Sequence, residues 1–103
     1  MTKQDVIRRV AEKTGFDPLT TRLVTEAFFE IVKESLSQGE PIYIRQFGSF
    51  LLKQRAQKVG RHIRQNTTVT IAAHVIPAFK PSAEFSDRVR AQDVPIKKQK
   101  ERS

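Results

Sequence analysis

The sequence predicts an α+β fold in which a helical first half is followed by a stranded second half. Apolar residues recur at helical spacing before Gly39, whereas alternating and β-branched residues predominate after it. A short helical pattern carrying Phe85 and Val89 follows Ser82, a favoured N-cap residue. The predicted order is an N-terminal helix pair, a three-stranded antiparallel sheet with a long β-ribbon arm, and a short C-terminal helix.

Two capped helices are predicted in the first half. Thr2 and Asp5 have the spacing of a capping arrangement, and Gly15 is suited to end the first helix. Asp17-Pro18 restarts the chain with an N-cap residue followed by proline at the first helical position. The second helix is predicted to close at Gly39. Its broad apolar stripe consists of Leu19, Leu23, Val24, Ala27, Phe28, Ile31 and Val32.

Short strands are predicted after the helices. Ile42 and Ile44 alternate with more polar neighbours, and Phe47-Gly48-Ser49 is predicted as the turn into the next strand. Pro77 places the returning strand at a sheet edge, because proline cannot donate a hydrogen bond to a neighbouring strand.

A long two-stranded arm is predicted over residues 53–72. The β-branched run at 67–71 favours an extended strand, and polar residues at 60–66 favour a turn before it. Residues 1–91 are expected to form one folded domain that includes this arm. Residues 92–103 are charged and poor in apolar side chains, and a basic, disordered tail is expected there.

Charge is unevenly distributed along the chain. The formal net charge is +8, yet residues 1–43 hold six Lys/Arg against seven Asp/Glu, and residues 44–103 hold thirteen against four. This asymmetry points to a polyanionic partner engaged by the second half. An RNA-binding or ribosome-associated protein would share it, although the aromatic-rich strand motif of an RNA-binding platform is missing. A module that grips an acidic protein or an anionic membrane is the other alternative.

Composition argues against several other classes. The chain has no cysteine, which rules out a disulfide framework and a thiolate metal site. No apolar run approaches the ~20 residues of a membrane span, and the N-terminus lacks a signal-peptide pattern, so a cytoplasmic location is expected. His62 and His74 are the only histidines. No catalytic triad, paired carboxylates or glycine-rich phosphate loop is discernible, so no enzyme activity, metal or cofactor is expected.

A dimer is predicted from the size of the core. Without the arm and the tail, roughly 70 of the 103 residues remain, a length at which a domain is marginally stable alone. The second helix is also more apolar than a small sheet can cover. We therefore expect an intertwined dimer that buries aromatic side chains between two chains, with a core of Phe28, Phe47, Phe50 and Phe79.

Four short motifs carry a family resemblance. Phe47-Gly48-Ser49-Phe50, Arg55-Ala56, Gly60-Arg61 and Pro77-Ala78-Phe79-Lys80 occur in the order and spacing of the bacterial HU/integration host factor family. The resemblance extends over residues 1–91. It implies a dimer, homomeric or heteromeric, whose two β-arms follow the minor groove of duplex DNA and bend it, as expected of a nucleoid-associated protein.

The resemblance also implies which residues contact DNA. Basic residues of the arm would meet phosphates and the minor groove, and a basic residue at the end of the sheet would lie near the groove. A further lysine and the start of the last helix would hold the backbone on the protein body, since helix N-termini bind phosphate. In that order, these residues are Lys53, Arg55, Lys58, Arg61 and Arg64 on the arm, then Arg45 and Lys80.

The arm tip departs from the family pattern. After Gly-Arg the family has Asn-Pro, whereas this chain has His62-Ile63. Ile63 therefore occupies the position of the proline that wedges between base pairs. Isoleucine is among the apolar wedges of minor-groove proteins, but it lacks the fixed φ of proline. Intercalation by Ile63 is expected, on a less rigid tip.

Overall fold

The computed structural model describes residues 1–62 and 67–96. Its first compact unit, Met1–Glu40, contains two helices whose ends are set by capping residues. Helix α1 is Lys3–Thr14, with Thr2 and Asp5 forming the predicted capping box. Gly15 has φ 78°, and its N–H donates to the Ala11 carbonyl at 2.8 Å. The left-handed conformation explains why glycine ends this helix.

Helix α2 is Pro18–Ser37. Asp17 caps it by accepting from the Thr20 N–H at 2.9 Å and from the Thr20 hydroxyl at 2.6 Å. These hydrogen bonds, that of the Thr20 side chain first, hold the pKa of Asp17 below its ordinary value. In α1, the backbone and side-chain hydrogen bonds with Thr2 lower the pKa of Asp5 in the same way. The chain leaves α2 through Gly39, with φ 85°.

The second unit, which begins at Pro41, contains five strands and a helix. Strands β1 (Ile42–Ile44), β2 (Gly48–Arg55) and β5 (His74–Pro81) form an antiparallel sheet in the order β1-β2-β5. Strands β3 (Lys58–His62) and β4 (Thr67–Ile71) form a two-stranded sheet, and α3 is Ala83–Ala91. The predicted α+β fold is confirmed, including the edge position of Pro77, which lies in β5.

The turn between β1 and β2 comes earlier than predicted. Residues 45–47 make the turn, and the Phe47 N–H donates to the Ile44 carbonyl at 3.1 Å. Gln46 takes the positive φ, 66°. Gly48 belongs to β2 and serves another purpose, because a Cβ built on it would lie 2.6 Å from the Lys80 carbonyl oxygen and 2.6 Å from Phe79 Cζ. The glycine is required by close packing rather than by the turn.

One register runs through the whole hairpin from β2 to β5. The β2–β5 ladder ends at Arg55 paired with His74, and the β3–β4 ladder begins at Lys58 paired with Ile71. Residues 56–57 and 72–73 separate the two ladders without inserting an extra residue on either side. The turn predicted at 60–66 also starts later, since β3 continues to His62. Residues 63–66 lie outside the described part of the chain.

An aromatic cluster joins the sheet to α3. The Phe47 ring lies 5.1 Å from that of Phe79 and 5.5 Å from that of Phe85, centroid to centroid, and the Phe50 and Phe79 rings are 5.2 Å apart. Ser82 caps α3 by accepting from the Phe85 N–H, and its own N–H donates to the Phe47 carbonyl at 2.9 Å. The capping residue and the aromatic cluster therefore hold the start of α3 against the β1–β2 turn.

Few side chains are buried within one chain. Among the described residues only Ile7, Thr21, Leu36 and Gly48 are buried, and Phe28 and Phe47 remain 43% and 41% exposed. The stripe of α2 is more exposed still, as at Leu19, Leu23, Val24 and Ile31. A single chain therefore leaves much of its apolar surface uncovered. Within residues 1–62 and 67–96, no helix is both long and apolar enough to cross a membrane.

Candidate nucleic-acid interface

The strand register sorts the side chains of the sheet onto two faces. Ser49 pairs with Tyr43 on one side and Lys80 on the other, so these three side chains form one row. The neighbouring row, Ile42, Phe50 and Phe79, lies on the opposite face. One face therefore bears the aromatic cluster, and the other bears Tyr43, Ser49 and Lys80 at this end of the sheet, with apolar residues such as Leu51 and Ile76 farther along it. We call the second of these the polar face.

Two arm cations share the polar face with Lys80. Lys53 and Arg55 lie four and six residues after Ser49 in β2, and side chains separated by an even number of residues point to the same side of a strand. Both are exposed, and Arg55 is paired with His74. The family resemblance assigned Lys53 and Arg55 to the arm and Lys80 to the protein body, whereas the register places all three on one face.

The remaining predicted arm residues lie farther along the hairpin. Lys58 begins β3, is exposed and pairs with Ile71. Arg61 is also in β3, where it pairs with Thr68. Ile63 and Arg64 lie outside the described residues.

A groove of about 430 Å³ joins the end of the polar face to the start of α3. Arg45 and Lys80 both line it, together with Tyr43, Ser49 and Ser82. The first-turn N–H groups of a helix favour anions, and two cations beside them add to that preference. Arg45 and Lys80, predicted separately, are thus brought together in one candidate phosphate site.

The strands and loops that form this surface have no carboxylates of their own in the segment 41–83. Residues 41–83 contain seven Lys/Arg and no Asp or Glu. The ion pairs found over residues 1–62 and 67–96 are all between helical residues: Lys3–Glu26, Arg8–Asp5, Lys33–Glu30 and Arg90–Asp87. Cations on an exposed surface generate a local positive potential that attracts a polyanion over a range of about 8–10 Å, the screening length near physiological salt.

Sequence reasoning missed four residues that the structure places in or beside the interface. Tyr43, 72% exposed, and Ser49 share the row with Lys80. His74 lies opposite Arg55, with its Nδ1 2.9 Å from the Ala72 carbonyl oxygen. Phe85 completes the aromatic cluster beneath. Period-two alternation from Arg45 or Lys53 would have indicated Tyr43 and Ser49, whereas only the pairing of β2 with β5 indicates His74.

Comparison with known proteins gives a consistent result. The family model described as bacterial DNA-binding protein matches residues 1–90. The DNA-binding protein HU of Lactococcus lactis is 39% identical over 88 residues, covering 85% of this chain and 97% of that protein. Integration host factor subunit alpha of Actinobacillus pleuropneumoniae serotype 5b is 35% identical over 89 residues, covering 86% of this chain and 91% of the relative.

A solved structure extends the agreement to three dimensions. HU of Anabaena in a cocrystal with DNA superposes with a TM-score of 0.81 at 30% identity, covering 86% of this chain and 97% of that one. The fold therefore agrees with that of a DNA-bound HU, and the sequence agrees with relatives named as HU and integration host factor. The chain therefore belongs to the bacterial DNA-binding protein family, to which HU and integration host factor also belong.

Proposed function

We propose that this protein is an architectural DNA-binding protein that grips duplex DNA with its β-arms and bends it. The observation that carries the proposal is the segment 41–83, which has seven cations and no acid. Lys53, Arg55 and Lys58 are exposed on strands, and two further cations line the groove beside the start of α3. Phosphate neutralisation by such a surface supplies most of the affinity in sequence-tolerant DNA binding. HU of Anabaena, whose structure was determined with DNA, has the same fold.

The protein works as a dimer in this proposal. Phe28 and Phe47, each more than two-fifths exposed in one chain, would be covered by a second copy. Burying apolar surface stabilises an association by about 25 cal/mol per Å². Covering the exposed apolar stripe of α2 with a second chain would therefore stabilise the dimer. We favour a homodimer. A heterodimer with a related subunit is the alternative, because several relatives are named as alpha or beta subunits.

Phosphate contacts are assigned to two regions. Arg45 and Lys80 hold the backbone at the groove beside α3, and the arm residues Lys53, Arg55, Lys58, Arg61 and Arg64 follow the minor groove. These contacts position the protein without reading bases. Site preference then comes from how easily a given DNA sequence bends.

Bending is assigned to Ile63 as a wedge between base pairs. Unstacking costs a few kcal/mol per step, and the extra basic surface brought against the bent duplex offsets that cost. A protein that acts in this way belongs on chromosomal DNA in the cytoplasm. No catalytic step is needed for this role.

Three duplexes test the proposal in a gel-shift titration: a nicked DNA, an intact DNA of the same sequence and an RNA duplex. We expect binding to both DNA duplexes, tightest to the nicked one because a nick makes unstacking cheaper. The narrow, deep major groove and shallow minor groove of A-form RNA should weaken binding. RNA binding equal to DNA binding would favour the RNA-binding alternative instead.

Ile63→Asp separates bending from attachment. The variant should lose the bend measured by fluorescence transfer between the DNA ends and should keep a weakened, salt-sensitive affinity from the remaining cations. Ile63→Ala should lower the bend with a smaller reduction in affinity. An unchanged bend in both variants would remove Ile63 from the mechanism while leaving DNA binding in place.

A further inference from the structure

The outgoing side of the hairpin, β2 and β3, differs in charge from the returning side, β4 and β5. The outgoing strands β2 and β3 carry Lys53, Arg55, Lys58 and Arg61. On the returning side, residues 67–79 contain no Lys, Arg, Asp or Glu, and His74 is the single ionisable side chain. One edge of the hairpin is therefore cationic and the other is neutral. We call β4, Thr67–Ile71, the neutral edge strand.

The neutral edge strand has a strand neighbour on one side. It pairs with β3 in a two-stranded sheet, and over the described ranges 1–62 and 67–96 no strand pairs with its outer edge. All five of its residues are exposed, with Val69 at 46% and Ile71 at 48%. Its outer edge thus presents backbone donors and acceptors next to exposed β-branched side chains.

The backbone donors and acceptors of such an edge can form hydrogen bonds with another strand. Proteins usually protect exposed edges with charged side chains, prolines or bulges. The neutral edge strand has no charge and no proline, its ladder with β3 has no bulge, and all five of its residues are β-branched. Short uncharged segments of high β-propensity are the ones that pair across molecules. Strand β3, by contrast, contains two cations in its sequence, Lys58 and Arg61.

We propose that the neutral edge strand pairs with the same strand of a neighbouring protein dimer on DNA. Antiparallel self-pairing sets Thr, Val and Ile residues opposite one another with no like charges in contact. Pairing through β3 would instead oppose Lys58 and Arg61 to the cations of another copy. The chemistry of the two edges therefore selects β4 as the contact and a second copy of this chain as its occupant.

DNA is required for this contact, so the proposal rests on the proposed function. Each chain carries a formal charge of +8, and free dimers repel one another. Bound phosphates neutralise the arm cations, and a shared duplex raises the local concentration of neighbouring arms. Adjacent dimers linked by β4 would coat DNA cooperatively.

Cysteine cross-linking tests the contact, because the natural chain has no cysteine. Single substitutions Thr68→Cys, Val69→Cys and Thr70→Cys span the centre of β4 and so cover its symmetric registers. Paired antiparallel strands bring facing Cα atoms to ~4.5–5.5 Å, within disulfide range. Val59→Cys is the matched control, since Val59 lies opposite Thr70 on β3. With two β4 strands between them, Val59 residues of two copies would be ~14 Å apart, beyond that range.

Each variant is oxidised mildly in three states: free, on a duplex that holds one protein dimer, and on a duplex that holds several. We expect covalent pairs several-fold above the Val59→Cys control for at least one β4 variant, on the long duplex alone. Cross-linking that is equal without DNA or on the short duplex would overturn the proposal, since the contact would then not join neighbouring dimers. Yields no higher than the control on the long duplex would also overturn it.

A gel shift on the same samples distinguishes the two proposals. If the variants bind the long duplex and β4 does not cross-link, edge pairing is wrong and the proposed function stands. If the natural chain fails to bind any duplex, the proposed function is wrong, and DNA-dependent pairing is overturned with it.

Discussion

The helix pair, Met1–Glu40, and the unit that begins at Pro41 differ in their balance of acidic and basic residues. The helix pair holds six cations and seven acids, and three of the four ion pairs described above lie within it. The second unit is free of acids until Glu84. Charge in the first unit is balanced internally, which suits a surface that packs against protein and water. Charge in the second is left for an external partner to balance.

The two units resemble each other in apolar surface. Phe28 in the helix pair and Phe47 in the second unit are exposed to nearly the same extent, 43% and 41%. Both units therefore need a second chain, whereas one of them also needs a polyanion. Dimer stability and DNA affinity therefore depend on different features of this molecule, and substitutions of each feature should change one without the other.

Removing the central aromatic ring should have the largest effect. Phe47→Ala should destabilise the dimer by about 3–5 kcal/mol, as truncation of a buried phenylalanine does. Tyr43→Ala is the control, because Tyr43 is 72% exposed on the other face of the sheet. Urea unfolding at several protein concentrations measures both, and the midpoint should rise with concentration. Equal costs for the two variants would mean that the aromatic cluster is not buried by dimerisation.

Removing cations from the outgoing strands β2 and β3 should reduce DNA affinity without reducing stability. The triple alanine variant of Lys53, Arg55 and Lys58 should bind more weakly to unrelated sequences, and its log-log salt slope should be shallower by about 0.9 for each phosphate that is no longer neutralised. The control removes the same charge from the helix pair, at Arg8, Arg22 and Lys33. Equal reductions in affinity for the two triple variants would show that net charge matters and its placement does not.

Adding one methyl group to the sheet should have an intermediate effect. Gly48→Ala places a Cβ 2.6 Å from the Lys80 carbonyl oxygen and Phe79 Cζ, and overpacking of this kind costs about 1–3 kcal/mol. Gly60→Ala is the matched control, because its Cβ meets nothing within 4 Å. Denaturant midpoints should fall for the first and stay level or rise for the second. A tolerated Gly48→Ala would show that β2 and β5 separate readily at this point.

Acidification should have the smallest effect and should act on the helix pair. The pKa values of Asp5 and Asp17 are lowered in the folded state by their capping hydrogen bonds. The stability that these two ionised carboxylates contribute is therefore fully present above the unfolded pKa of about 3.9. It is lost as the pH falls through their lower pKa in the folded state. Asp17→Asn keeps a capping side chain that does not titrate, so it should reduce the acid sensitivity seen in unfolding curves. An unchanged pH profile would assign that sensitivity to other groups.

Local features were the ones that sequence reasoning predicted correctly. Thr2, Asp17 and Ser82 cap their helices as predicted, because a capping hydrogen bond joins residues three positions apart. The β1–β2 turn was predicted too late in the chain, because glycine is a common turn residue and Gly48 was assigned to the turn. Its real role depends on Phe79 and Lys80, which only strand pairing brings close.

The composition of residues 41–83 was enough to point to a polyanionic partner, since the segment holds seven cations and no acid. The motifs likewise determined the family. Strand pairing was needed to show that Lys53, Arg55 and Lys80 share one face, that Arg45 and Lys80 line one groove beside the start of α3, and that the neutral strand β4 lies at an edge. These placements follow from the register between β2 and β5 and between β3 and β4. A register joins residues that are distant in the chain, and a shift of one position would move each side chain to the opposite face.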